Sequence, residues 1–162
     1  MAQGTYVSIR GAKQGQFKGN GSAKGRGDKW IEVVRYEQTV QAPRDAATGQ
    51  ASGKRRQETI KFTIELGTAV QQLMSALVND ETLLDVNFEF VNTNAAGEEY
   101  VYYTIKLTDA HVTRVGTTSD SNSFSGHEKN VHEWSDVALT TSKVISVSYE
   151  KSKTFSDQWT TQ

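Results

Sequence analysis

The stretch ETIKFTIEL at residues 58–66 alternates polar and apolar side chains from Thr59 onward. Successive side chains of a β-strand point to opposite faces, so this alternation predicts a strand with one buried and one solvated face. The apolar positions are Ile60, Phe62, Ile64 and Leu66. Half-buried strands of this kind are typical of antiparallel sheets that face water on one side.

The same alternation recurs along the chain, most clearly at residues 85–92 and 98–113. In the second stretch the apolar positions change phase near Asp109. One extra residue in a strand turns its inward face outward, so the phase change predicts a β-bulge there. Residues 137–149 predict a further strand or pair of strands, and weaker strands are predicted at residues 5–10 and 30–41. The sequence therefore indicates a mainly β fold.

One segment has the period of a helix instead. Its apolar residues follow the spacing i, i+3, i+4 and i+7, which places them on one stripe of a helix. They are Val70, Leu73, Met74 and Leu77. Thr68 followed by Gln71 predicts a capping box at the start, and the helix is expected to end near residues 79–80. We expect the four apolar side chains to form the buried core of this helix.

Length, charge and hydropathy indicate a single domain and argue against nucleic-acid-binding and membrane proteins. The 162 residues predict one domain over residues 1–162. The net charge of −1 argues against nucleic acid or an acidic membrane as a partner. No apolar run is long enough for membrane insertion, and the first residues lack the pattern of a signal peptide. We therefore expect a cytoplasmic protein.

Candidate catalytic, cofactor and metal patterns all fail. The chain has no cysteine, which excludes thiolate chemistry. Its glycine-rich segment at residues 13–29 fits neither nucleotide-binding fingerprint. His127 and His132 are spaced i and i+5, whereas a zinc-binding helix needs i and i+4. The serine-rich segment at residues 116–126 is expected to be a loop and has no nucleophile elbow. We expect no catalytic residues, no cofactor and no metal, and the chain is not predicted to be an enzyme.

The segment QAPRDAATGQASGKRRQ at residues 41–57 is a candidate interaction loop. It contains the chain's only proline and no apolar residue larger than alanine. Long loops inside a domain are usually functional or mobile. Its charged side chains are Arg44, Asp45, Lys54, Arg55 and Arg56. From the residues alone, the loop is either a mobile connection or a projecting contact segment.

Several long segments resemble a known family in the same order along the chain. They are residues 6–19, 41–67, 71–90 and 97–110, followed by SDQW at residues 156–159. Together they resemble the haemolysin co-regulated protein (Hcp) family, the tube proteins of bacterial type VI secretion systems. The resemblance covers about the whole chain, and GEEYVYYTIKL and PRDAATGQASGKR are its most specific parts.

This resemblance implies a fold and a function. The implied fold is a compact β-barrel of two antiparallel sheets, with one flanking α-helix and an extended loop. Six copies would close into a homohexameric ring, and rings would stack into a tube inside a contractile sheath. Partners would be further copies, the sheath and spike proteins, and effector cargo in the lumen. The protein would leave the cytoplasm through the type VI machine without a signal peptide.

The extended loop of the family reaches the neighbouring ring. The resemblance therefore assigns Arg44, Asp45, Lys54, Arg55 and Arg56 to ring stacking. Three alternatives differ in class. The tail tube of a phage or related contractile particle has a similar fold. A small-molecule-binding barrel would be monomeric with an apolar cavity, and an enzyme would need an unfamiliar site.

Overall fold

The structure, a computed structural model, describes residues 4–19, 27–53, 56–57, 59–121, 131–149 and 153–158. These residues form ten β-strands and one α-helix. The strands are β1 Gly4–Gly11, β2 Gly15–Gln16, β3 Ile31–Glu37, β4 Val40–Gln41, β5 Arg56–Gln57, β6 Ile60–Glu65, β7 Leu83–Thr93, β8 Glu99–Ser121, β9 Val131–Tyr149 and β10 Lys153–Gln158. The helix α1, Thr68–Val78, lies between β6 and β7 in the chain and packs against β8.

The main antiparallel sheet closes into a barrel. Its strands follow the order β9-β6-β3-β1-β7-β8, and β8 pairs back onto β9. Strand β2 adds to β1, and β10 adds to β9. A second, two-stranded antiparallel sheet consists of β4 and β5. The predicted mainly β barrel with one flanking helix is confirmed.

The strands are strongly inclined to the barrel axis. Paired residues can be followed from Tyr103 of β8 around the barrel through β7, β1, β3, β6 and β9. This path returns to β8 at Thr117 rather than at Tyr103. Closing a sheet with such a stagger requires tilted strands. The stagger also explains why β8 and β9 are so long. Strand β8 pairs with both β7 and β9, and β9 pairs with both β6 and β8.

Alternating side chains fill the barrel as predicted. Ile60, Phe62 and Ile64 are at most 1% exposed, and Leu66 is partly buried against the same core. Aromatic rings continue this core. Phe88 makes edge-to-face contacts with Phe62 and Tyr36, at centroid distances of 5.3 and 4.8 Å. Burial, reinforced by Tyr103, raises the pKa of Tyr36 well above its ordinary value.

The predicted bulge in β8 is confirmed. The pairing of β8 shifts register between Thr108 and Ala110, and Asp109 has a φ of 51°. Both Leu107 and Ala110 are fully buried. They are three positions apart, a spacing that would place them on opposite faces of a regular strand. The extra residue therefore restores the inward face after the phase of the sequence changes.

The predicted serine-rich loop is wrong over residues 116–121, because β8 continues to Ser121. Gly116 pairs with Asp136, and Ser121 pairs with Val131. The Ser135 hydroxyl also donates a hydrogen bond to the Gly116 carbonyl at 2.8 Å. The composition of this segment is typical of a loop, but its pairing with a distant strand makes it part of β8. Such pairing cannot be predicted from the sequence of the segment alone. Residues 122–126 of the predicted loop lie outside the described residues.

The predicted helix is present, but its buried face is rotated. Val70 and Leu73 are buried and Leu77 is partly buried, whereas Met74 is 42% exposed, so its assignment to the helix core is wrong. The buried stripe instead includes two alanines, Ala69 and Ala76. Small side chains at these positions allow the helix to lie close to the barrel, which turns Met74 toward solvent.

The helix ends as predicted but does not begin as predicted. Asn79 is the C-cap, and Asp80 follows with a φ of 50°. At the start, Gly67 is the N-cap and no side chain caps the helix, so the predicted capping box is wrong. Because the helix begins at Thr68 itself, the Thr68 hydroxyl is one position too late to act as the cap.

Adjacent helix residues give a matched stability test. We expect Leu73→Ala to lower the free energy of unfolding by about 2–5 kcal/mol, because Leu73 is fully buried. Met74→Ala is the control and should cost under about 1 kcal/mol, because much of its side chain is solvated. Urea denaturation followed by circular dichroism measures both. Equal losses would contradict the observed rotation of the helix.

Candidate assembly surfaces

The segment between β3 and β6 is an ordered hairpin in its described part. Strands β4 and β5 pair at its base, and an isolated bridge joins Arg44 to Ala51 further out. The Asp45 amide donates to the Gln50 carbonyl at 2.8 Å, and the Ser52 amide donates to the Pro43 carbonyl at 3.0 Å. All residues from 40 to 53 are exposed to solvent. Residues 40–53 with β5 are here called the projecting hairpin.

Side chains of the projecting hairpin hold its tip in shape. The Asp45 carboxylate accepts a hydrogen bond from the Ala47 amide at 2.8 Å, which forms a local turn. Arg44 donates through Nη1 to the Gly49 carbonyl at 3.0 Å. Gly49 itself has a φ of 70°, a conformation that glycine adopts at little cost. Arg44 and Asp45 therefore stabilise the turn, and Arg44 keeps further N–H donors for a partner.

The charged residues predicted for ring stacking lie at different levels of the projecting hairpin. Arg44 and Asp45 lie near the tip, whereas Arg56 pairs with Gln41 at the base. Lys54 and Arg55 lie outside the described residues. Arg44 and Asp45 thus lie apart from Arg56 along the projecting hairpin.

No metal centre is present in the described part of the chain. No group of three or more His, Asp, Glu or Cys side chains there could hold a metal ion. His127 lies outside the described residues, and His132 lies in β9 opposite Asp120. The Nδ1 atom of His111 is 3.7 Å from Asp80 Oδ1. In the same ranges, no helix is long and apolar enough to cross a membrane.

One buried carboxylate was not foreseen from the sequence. Glu81 is only 3% exposed, and its Oε2 atom accepts a bond from the Gln14 amide at 3.4 Å. The Gln14 side chain also donates to the Gln72 carbonyl at 2.9 Å. A side chain at Gly11 would collide with Glu81, because a Cβ atom would lie 2.0 Å from Oε2. Glu81 therefore joins the β1–β2 turn to the helix, a structural role.

The described residues thus define a closed antiparallel barrel with one flanking helix and a projecting hairpin. The profile of the family described as "Type VI secretion system effector, Hcp" matches residues 6–155. The chain belongs to this family. The resemblance seen in the sequence is therefore confirmed.

Relatives match this chain almost from end to end. The major exported protein of Pseudomonas aeruginosa is 29% identical over 168 residues, which cover 98% of this chain and 96% of that protein. A solved Hcp protein superposes with a TM-score of 0.88 at 24% identity, covering 99% of this chain and 100% of its own. The structure of Hcp1 from the E. coli EAEC 042 pathovar superposes with a TM-score of 0.81 at 25% identity, and the match covers 98% of this chain and 99% of Hcp1.

Family membership fixes the broad function. Hcp proteins are structural, secreted tube proteins of type VI secretion. The chain is therefore a secreted type VI protein and not an enzyme.

The order of the projecting hairpin can be tested at its tip. We expect Gly49→Val to speed hydrogen exchange at the Asp45 and Ser52 amides about tenfold, because a β-branched residue is strained at a positive φ. Ala46→Val adds the same type of side chain at a neighbouring exposed position and is the control. Exchange is measured by mass spectrometry of peptides. Identical rates in both variants would contradict the ordered turn.

Proposed function

We propose that this chain, a single domain over residues 1–162, is the subunit of the inner tube of a type VI secretion system. Six copies close into a ring, and rings stack into the tube. The observation that carries the proposal is the match to the Hcp family over residues 6–155. It is supported by a barrel that corresponds to solved Hcp proteins over nearly its whole length.

The projecting hairpin is proposed to contact the next ring. It extends from the barrel with its described side chains exposed, and it carries cations at both its tip and its base. Arg44, Asp45, Lys54, Arg55 and Arg56 are the proposed stacking residues. Exposed ion pairs contribute about 0–1 kcal/mol each, so a contact repeated around a ring would be useful but reversible.

The remaining partners follow from the same proposal. The tube would lie inside the sheath, carry the spike at its end and hold effector cargo in its lumen. The protein would pass from the cytoplasm through the type VI machine and not by a signal-peptide route. The family match favours this function over the tail tube of a phage.

The oligomeric state is the direct test of a ring. Light scattering after size exclusion should give a mass six times that of the chain at micromolar concentration. Electron micrographs of the same fraction should show rings with an open centre, because a closed ring needs a contact between two different surfaces of each copy. A monomer at every concentration would contradict the tube function.

Ring stacking is tested by removing the basic cluster. Changing Lys54, Arg55 and Arg56 to Ala should leave single rings intact but reduce stacked tubes several-fold in micrographs, and reduce secretion. Stacking of the parent should weaken with added salt, because exposed charges are screened beyond about 10 Å at 0.1 M.

The control for this variant changes Lys13, Lys18 and Lys29 to Ala, which removes the same charge outside the projecting hairpin. It should stack like the parent. If the triple variant in the hairpin also stacks and secretes normally, the hairpin is only a connection between strands.

A further inference from the structure

The projecting hairpin is joined to the barrel through a break in strand pairing. The β3–β6 ladder of the barrel ends at the pair of Glu37 and Lys61, and the ladder of the hairpin begins at the pair of Val40 and Gln57. Two residues lie between these pairs on the β3 side and three on the β6 side. Because the numbers differ, the hairpin forms a separate sheet. Continuous backbone pairing therefore does not fix the direction in which it leaves the barrel.

Tyr36, the next-to-last residue of β3, is anchored in the barrel. Its ring makes edge-to-face contacts with Phe88 and Phe90, at centroid distances of 4.8 and 5.3 Å. Across the ladder it pairs with Phe62, which is 1% exposed. Edge-to-face aromatic pairs stabilise a structure beyond the burial of their area. The core thus holds the Tyr36 hydroxyl in one place, directly before the break in pairing.

The Tyr36 hydroxyl bonds the first residue beyond β3. It donates to Oε1 of Gln38, at 3.1 Å. Burial raises the pKa of Tyr36, so the hydroxyl keeps its proton and remains a donor. Side-chain bonds of the hairpin itself, such as those of Arg44 and Asp45, stay within it. Among the described residues, the bond to Gln38 is the one side-chain hydrogen bond between the barrel and the residues that lead into the hairpin.

We infer that Tyr36 is a positioning residue for ring stacking, because its hydroxyl bonds Gln38 and so sets the direction in which the projecting hairpin leaves the barrel. The inference rests on the stacking role proposed for the hairpin, and it adds a residue that lies outside the contact itself. A hairpin that is already aligned loses less conformational freedom when it binds the next ring. One bond, repeated in every copy, can therefore influence all the contacts of a ring.

Distances between two spin labels measure the direction of the projecting hairpin. The chain has no cysteine, so Ala47→Cys at the tip and Lys106→Cys on β8 can be labelled selectively. Both positions are exposed. Labelled copies are diluted into unlabelled copies, so that only distances within one chain contribute. Electron paramagnetic resonance of the doubly labelled parent should give one narrow distribution of distances.

Tyr36→Phe removes the hydroxyl and keeps the ring, so the aromatic contacts of the core remain. Loss of a neutral hydrogen bond shifts an equilibrium between two conformations by about two- to tenfold. We expect other orientations of the hairpin to increase by this factor, which broadens the distribution of distances. Tyr102→Phe is the control and should leave the distribution unchanged, because the Tyr102 hydroxyl has no hydrogen-bond partner among the described residues.

The acceptor of the bond gives a second set of variants. Gln38→Met has a similar length but offers no oxygen, and it should broaden the distribution as Tyr36→Phe does. Gln38→Glu keeps an oxygen at the same position and should retain the narrow distribution of the parent. Since both partners belong to one bond, Tyr36→Phe combined with Gln38→Met should broaden the distribution no further than either change alone.

Stacking is the functional readout. Tyr36→Phe and Gln38→Met should form single rings like the parent, but stacked tubes in micrographs should decrease several-fold. Circular dichroism melting checks that each variant is folded. A role in stability alone would lower the melting temperature and leave the direction of the hairpin in folded copies unchanged, which would contradict the inference.

The outcomes separate this inference from the proposed function. Parent rings that do not stack overturn the stacking role proposed for the hairpin. If the parent stacks, narrow distributions in both Tyr36→Phe and Gln38→Met overturn only the positioning role, and so does normal stacking by both variants. Should Tyr36→Phe melt below room temperature, Gln38→Met decides alone, because Gln38 lies outside the apolar core.

Discussion

Pairing of β8 with β9 is the interaction on which the rest of the structure depends. It extends from Tyr103 and Tyr149 to Ser121 and Val131, and it converts an open sheet into a barrel. Closure satisfies the backbone groups that two edge strands would otherwise expose. The core follows from it, because apolar faces of all six barrel strands then point toward one another. Surface turns and loops begin at the ends of these long strands.

Closure at this tilt requires strands to bend, and the bends shape the surface. The bulge at Asp109 lets β8 keep its apolar side chains inside while it curves around the barrel. The register shift in β3 leaves both Val34 and Arg35 on the outer face, where they line a surface groove together with Glu65 and Trp134. Irregularities that accompany closure of the barrel therefore also shape its outer surface.

The sequence pattern within one segment predicted those features that depend on that segment alone. Alternation around Phe62 and the phase change at Asp109 predicted a buried strand and a bulge, because both depend on side-chain direction along one strand. Exposure of Met74 could not be predicted, since it depends on how closely two alanines let the helix approach. Pairing of residues 116–121 and the hairpin geometry of the candidate stacking loop depend on contacts between distant segments. The loop's existence was predictable, but the roles of Arg44 and Asp45 at its tip were not.

The distribution of charge, more than its total, decides how such a barrel can assemble. With a net charge of −1, copies neither repel strongly nor attract one another at long range. Association must then depend on local complementarity between surfaces of neighbouring copies. The core contributes no contact surface to this step, because its apolar side chains are already buried within one copy. Folding and assembly thus rest on separate interactions, so a tube could form and come apart while each barrel stays folded.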